Sequence, residues 1–413
     1  MRISSSQYFN MNVASMSDQQ STLASMYQQI SAGKRILTAS DDPLGAAQAV
    51  QLTLRSGALS QYSTNQTTAL SALQQEDSTL SEVSSVMQSI QSKLVQAGDG
   101  SLNDSNRAAV ADAIKGYRDQ LMGLANTTDG SGNYIFSGLK GGTKPFSDDP
   151  SGVGTTYAGD YGQRTMQISE GRSIAVGDTG ASIFRSVSAT ESDPVSSAAL
   201  GNTGTGTISA VSVEDTSNPN NASTYTIKFS VDATAGTTSY LVTATPPDSS
   251  LPTTPTAYTG KTDITLGGQK VTIGGVPADN DTFTVQPAAT DNNDIFATLD
   301  NLVNALKQPT GTSGAQAALV NALTTAGTKI TNTFNNVLSA QTVVGGREQE
   351  VQSTQAAMQT TQTQTASDLA NLTSIDLVSA ISSYELTQTS LQAAQMAFTQ
   401  IQKMSLFDYL GGG

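Results

Sequence analysis

Residues 369–410 decide the fold, and they read LANLTSIDLVSAISSYELTQTSLQAAQMAFTQIQKMSLFDYL. Large side chains recur every seven residues in this stretch, and mostly small residues stand three positions further on. The two rows, called here the C-terminal stripe, are Leu377, Tyr384, Leu391 and Phe398, and Ala380, Thr387, Ala394 and Ile401. This heptad pattern predicts one helix over residues 369–410 that packs against a second helix.

The other end of the chain carries a matching pattern at four- and three-residue steps. This N-terminal stripe consists of Phe9, Val13, Met16, Gln20, Leu23, Tyr27 and Ile30. Two such stripes predict an antiparallel helix pair that joins the two ends of the chain. The alternative is two unrelated amphipathic helices in a globular core, because apolar stripes at helical spacing are also typical of core helices.

The composition favours a protein that packs against other proteins. Only 13% of the 413 residues are charged, and the predicted helices carry Ser, Thr, Gln and Ala where a free-standing coiled coil would carry Glu and Lys. The net charge of -14 disfavours nucleic acid and anionic membranes as partners. Cys, His and Trp are absent, which removes thiolate and imidazole chemistry and the commonest zinc ligands.

Two kinds of apolar segment are missing from the sequence. The first ten residues contain no apolar run of the kind found in secretory signals. No stretch is long and apolar enough to predict a membrane-spanning helix. We therefore expect a chain that is either cytosolic or exported by a route that does not read such a signal.

Between the two stripes the sequence predicts more helices. Asp42 followed by Pro43 is a strong helix start, because the carboxylate caps free backbone N–H groups and Pro fits the first turn. The remaining predicted helices lie at residues 43–97, 110–124, 295–306 and 323–358. The first of them carries two heptad rows, which begin at Leu59 and Tyr62, and the last carries one heptad row, which begins at Leu323. Gly345 and Gly346 interrupt the last of these at about 1 kcal/mol each, which suggests that another backbone approaches closely there.

The helical period is lost in the middle of the chain. A short strand is predicted at residues 134–136 and a hairpin within residues 157–176. Residues 186–293 are rich in Thr, Val, Gly, Pro and Ser, with short apolar runs between turns, and predict a β-rich inserted domain.

The predicted fold class is therefore mainly α with an inserted β domain. The N- and C-terminal parts form a long antiparallel helical bundle or coiled coil, and the β-rich domain lies on the outside. Three domains are predicted: residues 1–40 with 371–413 as the inner terminal domain, 41–185 with 294–370 as a long-helix domain with a β-hairpin, and 186–293 as the insert.

Short motifs that could carry chemistry are incomplete. Ser31 and Lys34 have the Ser-x-x-Lys spacing of serine acyl enzymes, but the partner motifs are absent. Residues 260–262 resemble the end of a phosphate loop without its first Gly. Four aspartates could be placed on calcium but lack the EF-hand pattern, and are expected to be solvated turn carboxylates: Asp279, Asp281, Asp291 and Asp294. We predict no enzyme, no cofactor and no metal site.

Several separate stretches, in the right order, are similar to the flagellin superfamily. They are MRISSSQYFNMN (1–12), QQISAGKRILTASDDPLGAAQAVQL (28–52), GNYIFSG (132–138), VGGR (344–347) and SLFDYL (405–410). The resemblance covers about residues 1–185 and 293–410. Both ends of the chain are most similar to the hook-associated proteins at the junction between hook and filament, and the β insert resembles nothing recognisable.

The resemblance implies a structural protein of the bacterial flagellum that connects the first hook-associated protein to the flagellin filament. It implies self-association in a ring, with the terminal helices forming the inner tube, and export through the flagellar type III channel with the help of the export apparatus and a chaperone. The protein would then be extracellular, at the junction between hook and filament.

The expected assembly interface combines residues of the two stripes with Leu406 from the closing motif. Its members are Phe9, Val13, Met16, Leu23, Tyr27, Ile30, Leu377, Tyr384, Leu391, Phe398, Ile401 and Leu406. The alternative within the same superfamily is a filament-forming flagellin. A surface adhesin with a coiled-coil stalk would need an anchor or a signal, and a hydrolase would need a nucleophile with a base.

Overall fold

The computed structural model describes the backbone of residues 5–188 and 192–410 and the side chains within residues 7–188 and 192–400. The chain divides into two compact units. The terminal unit consists of Met1–Thr64 and Thr354–Gly413, and the central unit consists of Asn65–Ser353. The division into three domains stays a prediction.

The helices of the described residues follow the predicted order. They are α1 (Ser5–Ala32), α2 (Pro43–Ala97), α3 (Asp104–Ala125), α4 (Gly180–Phe184), α5 (Ile295–Lys307), α6 (Ser313–Thr373) and α7 (Leu377–Leu410). The prediction of one uninterrupted helix over residues 43–97 is confirmed, because α2 has these bounds.

The predicted start of the last helix is wrong. Residues 369–373 belong to the end of α6, and α7 begins only at Leu377. Asp376 lies immediately before α7, and its carboxylate accepts hydrogen bonds from the backbone N–H groups of Val378 and Ser379 at 3.1 and 3.3 Å. A capped helix start of this kind requires a non-helical residue in front of it, so the chain turns between the two helices.

The first helix ends shortly after the last residue of the N-terminal stripe, Ile30. α1 ends at Ala32, where Gly33 takes a φ of +66°. A left-handed glycine directly after the last helical residue is a common way for a helix to end. Residues 33–42 then form a loop, and the carboxylate of Asp42 accepts a hydrogen bond from Gly45 N at 2.8 Å at the start of α2. The predicted role of Asp42 as a cap is confirmed.

Heptad rows of α2 and α6 bury the helical core of the central unit. Most of the buried residues of α2 lie on the two predicted rows: Gln66, Ala69, Leu73, Glu76, Leu80, Val83, Met87, Ile90 and Ala97. Thr79, Ser84 and Val86 are buried beside these rows. The counterparts of the rows on α6 are Ile330, Val337, Val344 and Val351, each fully buried. Burial of one such large apolar side chain contributes about 1.5–3 kcal/mol, so these rows are a main source of stability for the unit.

Aromatic side chains form the second part of this core. Phe146 packs edge-on against Phe184 and also contacts Phe296, with ring centroids 5.6 Å apart in both pairs. Two short hairpins surround the cluster, formed by β1 (Phe146–Asp148) with β2 (Thr155–Tyr157) and by β3 (Thr165–Ser169) with β4 (Arg172–Ala175). The predicted strand at residues 134–136 is wrong, because Tyr134 makes only an isolated bridge with Thr128.

The insert is β-rich, as predicted, and contains two antiparallel sheets. Its strands are β5 (Val195–Ala198), β6 (Thr207–Ile208), β7 (Ser212–Val213), β8 (Thr224–Asp232), β9 (Thr237–Thr245), β10 (Thr256–Tyr258), β11 (Thr262–Leu266), β12 (Gln269–Gly274) and β13 (Thr282–Gln286). One sheet has the order β10-β9-β8-β13-β5, and the other has β11-β12-β6 with β7 also paired to β12. Both sheets contribute to one hydrophobic cluster, which contains Tyr225, Phe229, Ile273 and Phe283.

Polar side chains of α6 hold the insert in place. Asn332 is fully buried, and its amide bonds both the N–H and the C=O of Asp193, at 2.9 and 2.8 Å. Asn321 bonds Ile208 N and Gly206 O in the same way, at 2.9 and 3.0 Å. These residues form a row on α6 that docks the insert through its backbone.

The expectation for Gly345 and Gly346 is wrong. Both residues are exposed, and a Cβ atom added at either position would meet nothing within 4 Å. The described chain therefore brings no backbone close to these glycines. None of the helices described is long and apolar enough to cross a membrane.

Candidate assembly surface

The terminal unit pairs the first and last helices of the chain. Phe9, near the start of α1, contacts Phe398 of α7 with ring centroids 5.2 Å apart. At the other end of α1, Gly33 O accepts a hydrogen bond from Ile375 N, which precedes α7, at 3.3 Å. The two helices are therefore antiparallel, as the stripes predicted.

The C-terminal stripe lies on the half-buried face of α7. Its members that the structure describes are half-buried with one exception: Ala380, Tyr384, Thr387, Leu391, Ala394 and Phe398. The exception is Leu377, which is 48% exposed. The side chains of Ile401 and Leu406 lie outside the described residues. The heptad spacing thus identified which face of α7 packs within the chain.

The N-terminal stripe is only partly on the packed face of α1. Met16, Leu23 and Ile30 are half-buried, whereas Phe9 and Val13 are each 41% exposed. Gln20 is also exposed, and Tyr27 is 64% exposed. Half-buried positions that the sequence did not single out are Asn12, Gln19, Ser25, Met26 and Gln29. The half-buried face includes Met16, Gln19, Leu23 and Met26, which follow one another in steps of three, four and three residues. Because Gln19 is polar, this face did not stand out in the sequence. The predicted stripe therefore contained Gln20 and Tyr27 in place of Gln19 and Met26.

The terminal unit buries very few side chains of its own. Among its described residues only Gly45, Met358 and Thr365 are buried. Its exposed large apolar residues are Tyr8, Phe9, Met11, Val13, Tyr27, Leu37, Leu44, Val50, Leu54, Leu377, Val378, Ile381, Leu386 and Met396. Contiguous exposed apolar surface is typical of sites of interaction with other proteins, so these residues are candidates for such a site.

The sequence did not predict the exposed apolar face at the start of α2. Leu44, Val50 and Leu54 are 71%, 59% and 69% exposed. They lie three and four residues apart, together with Ala47, and so share one side of the helix. The heptad rows that identified the buried face of α2 begin only at Leu59, which explains why this second face was missed.

Arg35 connects the ends of the helices in the terminal unit. Its backbone N–H donates to Thr373 O at 2.8 Å, and its guanidinium donates to Leu372 O at 3.0 Å, at the end of α6. Its carbonyl accepts a hydrogen bond from Gln29 of α1 at 2.9 Å. The guanidinium also lies 3.7 Å from Asp42, the cap of α2. A lone basic residue in a loop gave no signal of this role in the sequence.

The neighbouring carboxylate of Asp41 closes the same loop. It accepts hydrogen bonds from the backbone N–H groups of Thr38 and Leu37, at 2.8 and 3.0 Å. These two bonds lower the pKa of Asp41, because they stabilise its ionised form. The loop over residues 33–42 is thus fixed by its own polar contacts.

The residues considered for chemistry have structural roles. Lys34 forms an isolated antiparallel bridge with Ser374. No group of three or more acidic residues that could hold a metal ion occurs in the described part of the chain. The expectation of solvated carboxylates is wrong for Asp281 and Asp294, which are 2% and 3% exposed. Asp281 accepts three backbone hydrogen bonds, two from the segment before β6 and one from the segment before β13, and Asp294 caps α5.

The paired terminal helices with a β-rich insert between them define the architecture that the resemblance to the flagellin superfamily predicted. The model of the bacterial flagellin N-terminal helical region matches residues 3–140. Flagellin 1 of Proteus mirabilis is 31% identical over 121 residues, which are 29% of this chain and 33% of that protein.

Over nearly its whole length the chain is similar to flagellar hook-associated protein 3. That protein from Escherichia coli is 29% identical over 408 residues, 98% of this chain and 99% of its own. The crystal structure of the flagellar junction protein FlgL from Legionella pneumophila is 27% identical, with a TM-score of 0.65, over 79% of this chain and 99% of that one. The likeness to the flagellin superfamily, and within it to hook-associated protein 3, is confirmed, and so is the fold class.

Proposed function

We propose that this chain is a non-enzymatic structural protein of the bacterial flagellum that joins the first hook-associated protein to the flagellin filament. The observation that carries the proposal is the extent of the similarity. It covers 98% of this chain for hook-associated protein 3 of Escherichia coli, but 29% for the flagellin of Proteus mirabilis. A filament-forming flagellin is the alternative, favoured by the match of the flagellin N-terminal region to residues 3–140.

Copies of the chain associate through the terminal unit in this proposal. Two features support self-association: the small number of buried side chains in the unit and the apolar residues exposed on α1, α2 and α7. Because the packed face of α7 is only half-buried, a neighbouring copy can cover what α1 leaves open. The two stripes and Leu406 then form the assembly interface, with the ring in contact with the first hook-associated protein on one side and flagellin on the other.

Export through the flagellar type III channel, assisted by a chaperone, is part of the same proposal. It rests on the resemblance to proteins of the flagellum. It would deliver the chain to the outside of the cell by a route that needs no secretory signal. The location of the protein is then the junction between hook and filament.

A double substitution tests the assembly role of α7. Leu391→Asp with Phe398→Asp places charges on the stripe, where the apolar burial gained in assembly is worth about 1.5–3 kcal/mol per residue. We expect a strain that carries this variant in place of the native protein to export it, to lose motility and to release flagellin into the medium. Thr389→Asp with Gln395→Asp is the matched control, because both residues are exposed on the same helix.

Two measurements separate assembly from folding. The transition of the central unit in the circular dichroism melt of the purified variant should match that of the native chain, because the buried helical rows lie in that unit and not in the pair of α1 and α7. Normal swimming of the variant strain would contradict the assembly role of α7. Purified native protein that grows into long filaments by itself, seen by electron microscopy, would instead favour the flagellin alternative.

A further inference from the structure

Glu76 is a buried acidic residue of the central unit that assembly does not use. It lies on α2 and is 2% exposed. Its Oε1 atom accepts a hydrogen bond from Asp178 N at 2.8 Å, and its Oε2 atom is buried without a hydrogen-bond partner. A buried carboxylate is strongly unfavourable unless a positive group compensates its charge.

The positive group with the larger effect on Glu76, Arg347, is already engaged by another carboxylate. The guanidinium of Arg347 on α6 donates to both carboxylate oxygens of Asp178 at 3.1 Å. The amide of Gln163 donates to the same carboxylate at 2.6 Å. Glu76 therefore receives only a neutral backbone donor, while the carboxylate of Asp178 lies close enough to repel a negative charge on it.

The charged groups that act on Glu76 come from each element packed around it. They are Asp178 before α4, Arg347 on α6, and Arg164 before β3. Burial is the main cause that raises the pKa of Glu76 to about 7, followed by the charge of Asp178, and the two arginines lower the pKa by less. A second acidic pair, Glu348 of α6 and Asp77 of α2, lies on the same two helices, and burial together with the charge of Asp77 raises the pKa of Glu348.

We propose that Glu76 is a proton-binding site of the folded protein, and that this proton couples the packing of α2 and α6 to pH. When the carboxyl group of Glu76 is neutral, the positive charge of Arg347 is balanced by the carboxylate of Asp178 alone. Loss of the proton places a second negative charge beside Asp178 and opposes the contact between α2, α6 and the turn at residues 177–179. That turn leads into Gly180, whose N–H donates to Phe136 O at 2.8 Å beside the aromatic cluster.

The sign of the effect follows from proton linkage. The folded chain binds this proton more tightly than the unfolded chain, where Glu titrates near its usual value. The unfolding equilibrium constant should therefore rise about tenfold for each pH unit between the two pKa values, that is, from about 4.5 to about 7. Above about pH 7 the contribution of Glu76 to the pH dependence should disappear.

The test compares urea unfolding of the full-length protein and of Glu76→Gln between about pH 5 and about pH 9. Gln is the neutral isostere, so we expect it to match the native chain at the acidic end and to exceed it in stability at the alkaline end. Glu82→Gln is the matched control, because Glu82 is exposed on the same helix. It should follow the native profile throughout.

A second readout detects the proton itself. Difference infrared spectra of the folded native protein should show the carbonyl band of a protonated carboxylic acid that is lost on raising the pH, and Glu76→Gln should lack it. Parallel stability profiles for the native chain and Glu76→Gln, or an identical infrared band in both, would overturn the proposal. These outcomes concern the isolated chain, so they are independent of the proposed role in the flagellum.

Discussion

Replacement of Asn332 by Ala tests how the insert is held on α6. The side chain is fully buried, and its two hydrogen bonds to Asp193 have no substitute in the variant. Each such bond has a net worth of about 0.5–1.5 kcal/mol, and Asp193 itself is exposed, so water can take over part of the loss. We expect Asn332→Ala to lower the free energy of unfolding by about 1–3 kcal/mol.

The control is Asn335→Ala on the same helix. Asn335 is exposed, and the change from Asn to Ala raises helix propensity equally at both positions. The difference in urea unfolding between the two variants therefore isolates the docking contact. Hydrogen exchange of the segment that contains Asp193 should accelerate only in Asn332→Ala. Equal stability of both variants, with unchanged exchange at Asp193, would refute the idea that this amide docks the insert.

Two further predictions concern the separate parts of the chain. Limited proteolysis of the free monomer should trim both ends and leave a core of roughly residues 40–370, since the terminal helices bury little before other copies cover them; protected ends in dilute monomer would contradict this. Deletion of residues 188–292 with a short linker should spare folding, export and junction formation, because the hydrophobic cluster of the insert shares no residue with that of the helices. A deletion strain that exports the protein but sheds flagellin would show that the insert is needed.

The heptad rows were visible in the sequence because they are repeated over many turns. They correctly placed even Gln66 and Glu76 among buried positions of α2, since the period outweighs the character of a single residue. The same reasoning found the packed face of α7. A long repeat of this kind therefore predicts which face of a helix is buried, even when the element that packs against that face is not known.

Features that depend on one local contact were not visible. The turn before α7 depends on the cap by Asp376, and a single Asp inside a periodic stretch gave no reason to break the helix there. The half-buried face of α1 includes polar residues, so the pattern of its apolar residues predicted a different face, rotated towards the exposed Tyr27. Arg35 and Asn332 act on backbone atoms brought from distant parts of the chain, and no pattern of residue types records such contacts.

The row of α6 that docks the insert recognises main-chain atoms. Asn321 bonds the backbone of Gly206, just before β6, and of Ile208, at the end of β6. Thr325 donates to Ser196 O at 2.8 Å, and Asn332 bonds the backbone of Asp193. None of these contacts depends on which side chains the insert carries at those positions. Substitutions in the insert can therefore be tolerated at these positions while its attachment to α6 is retained, so the sequence of the insert can change without loss of the contacts that hold it.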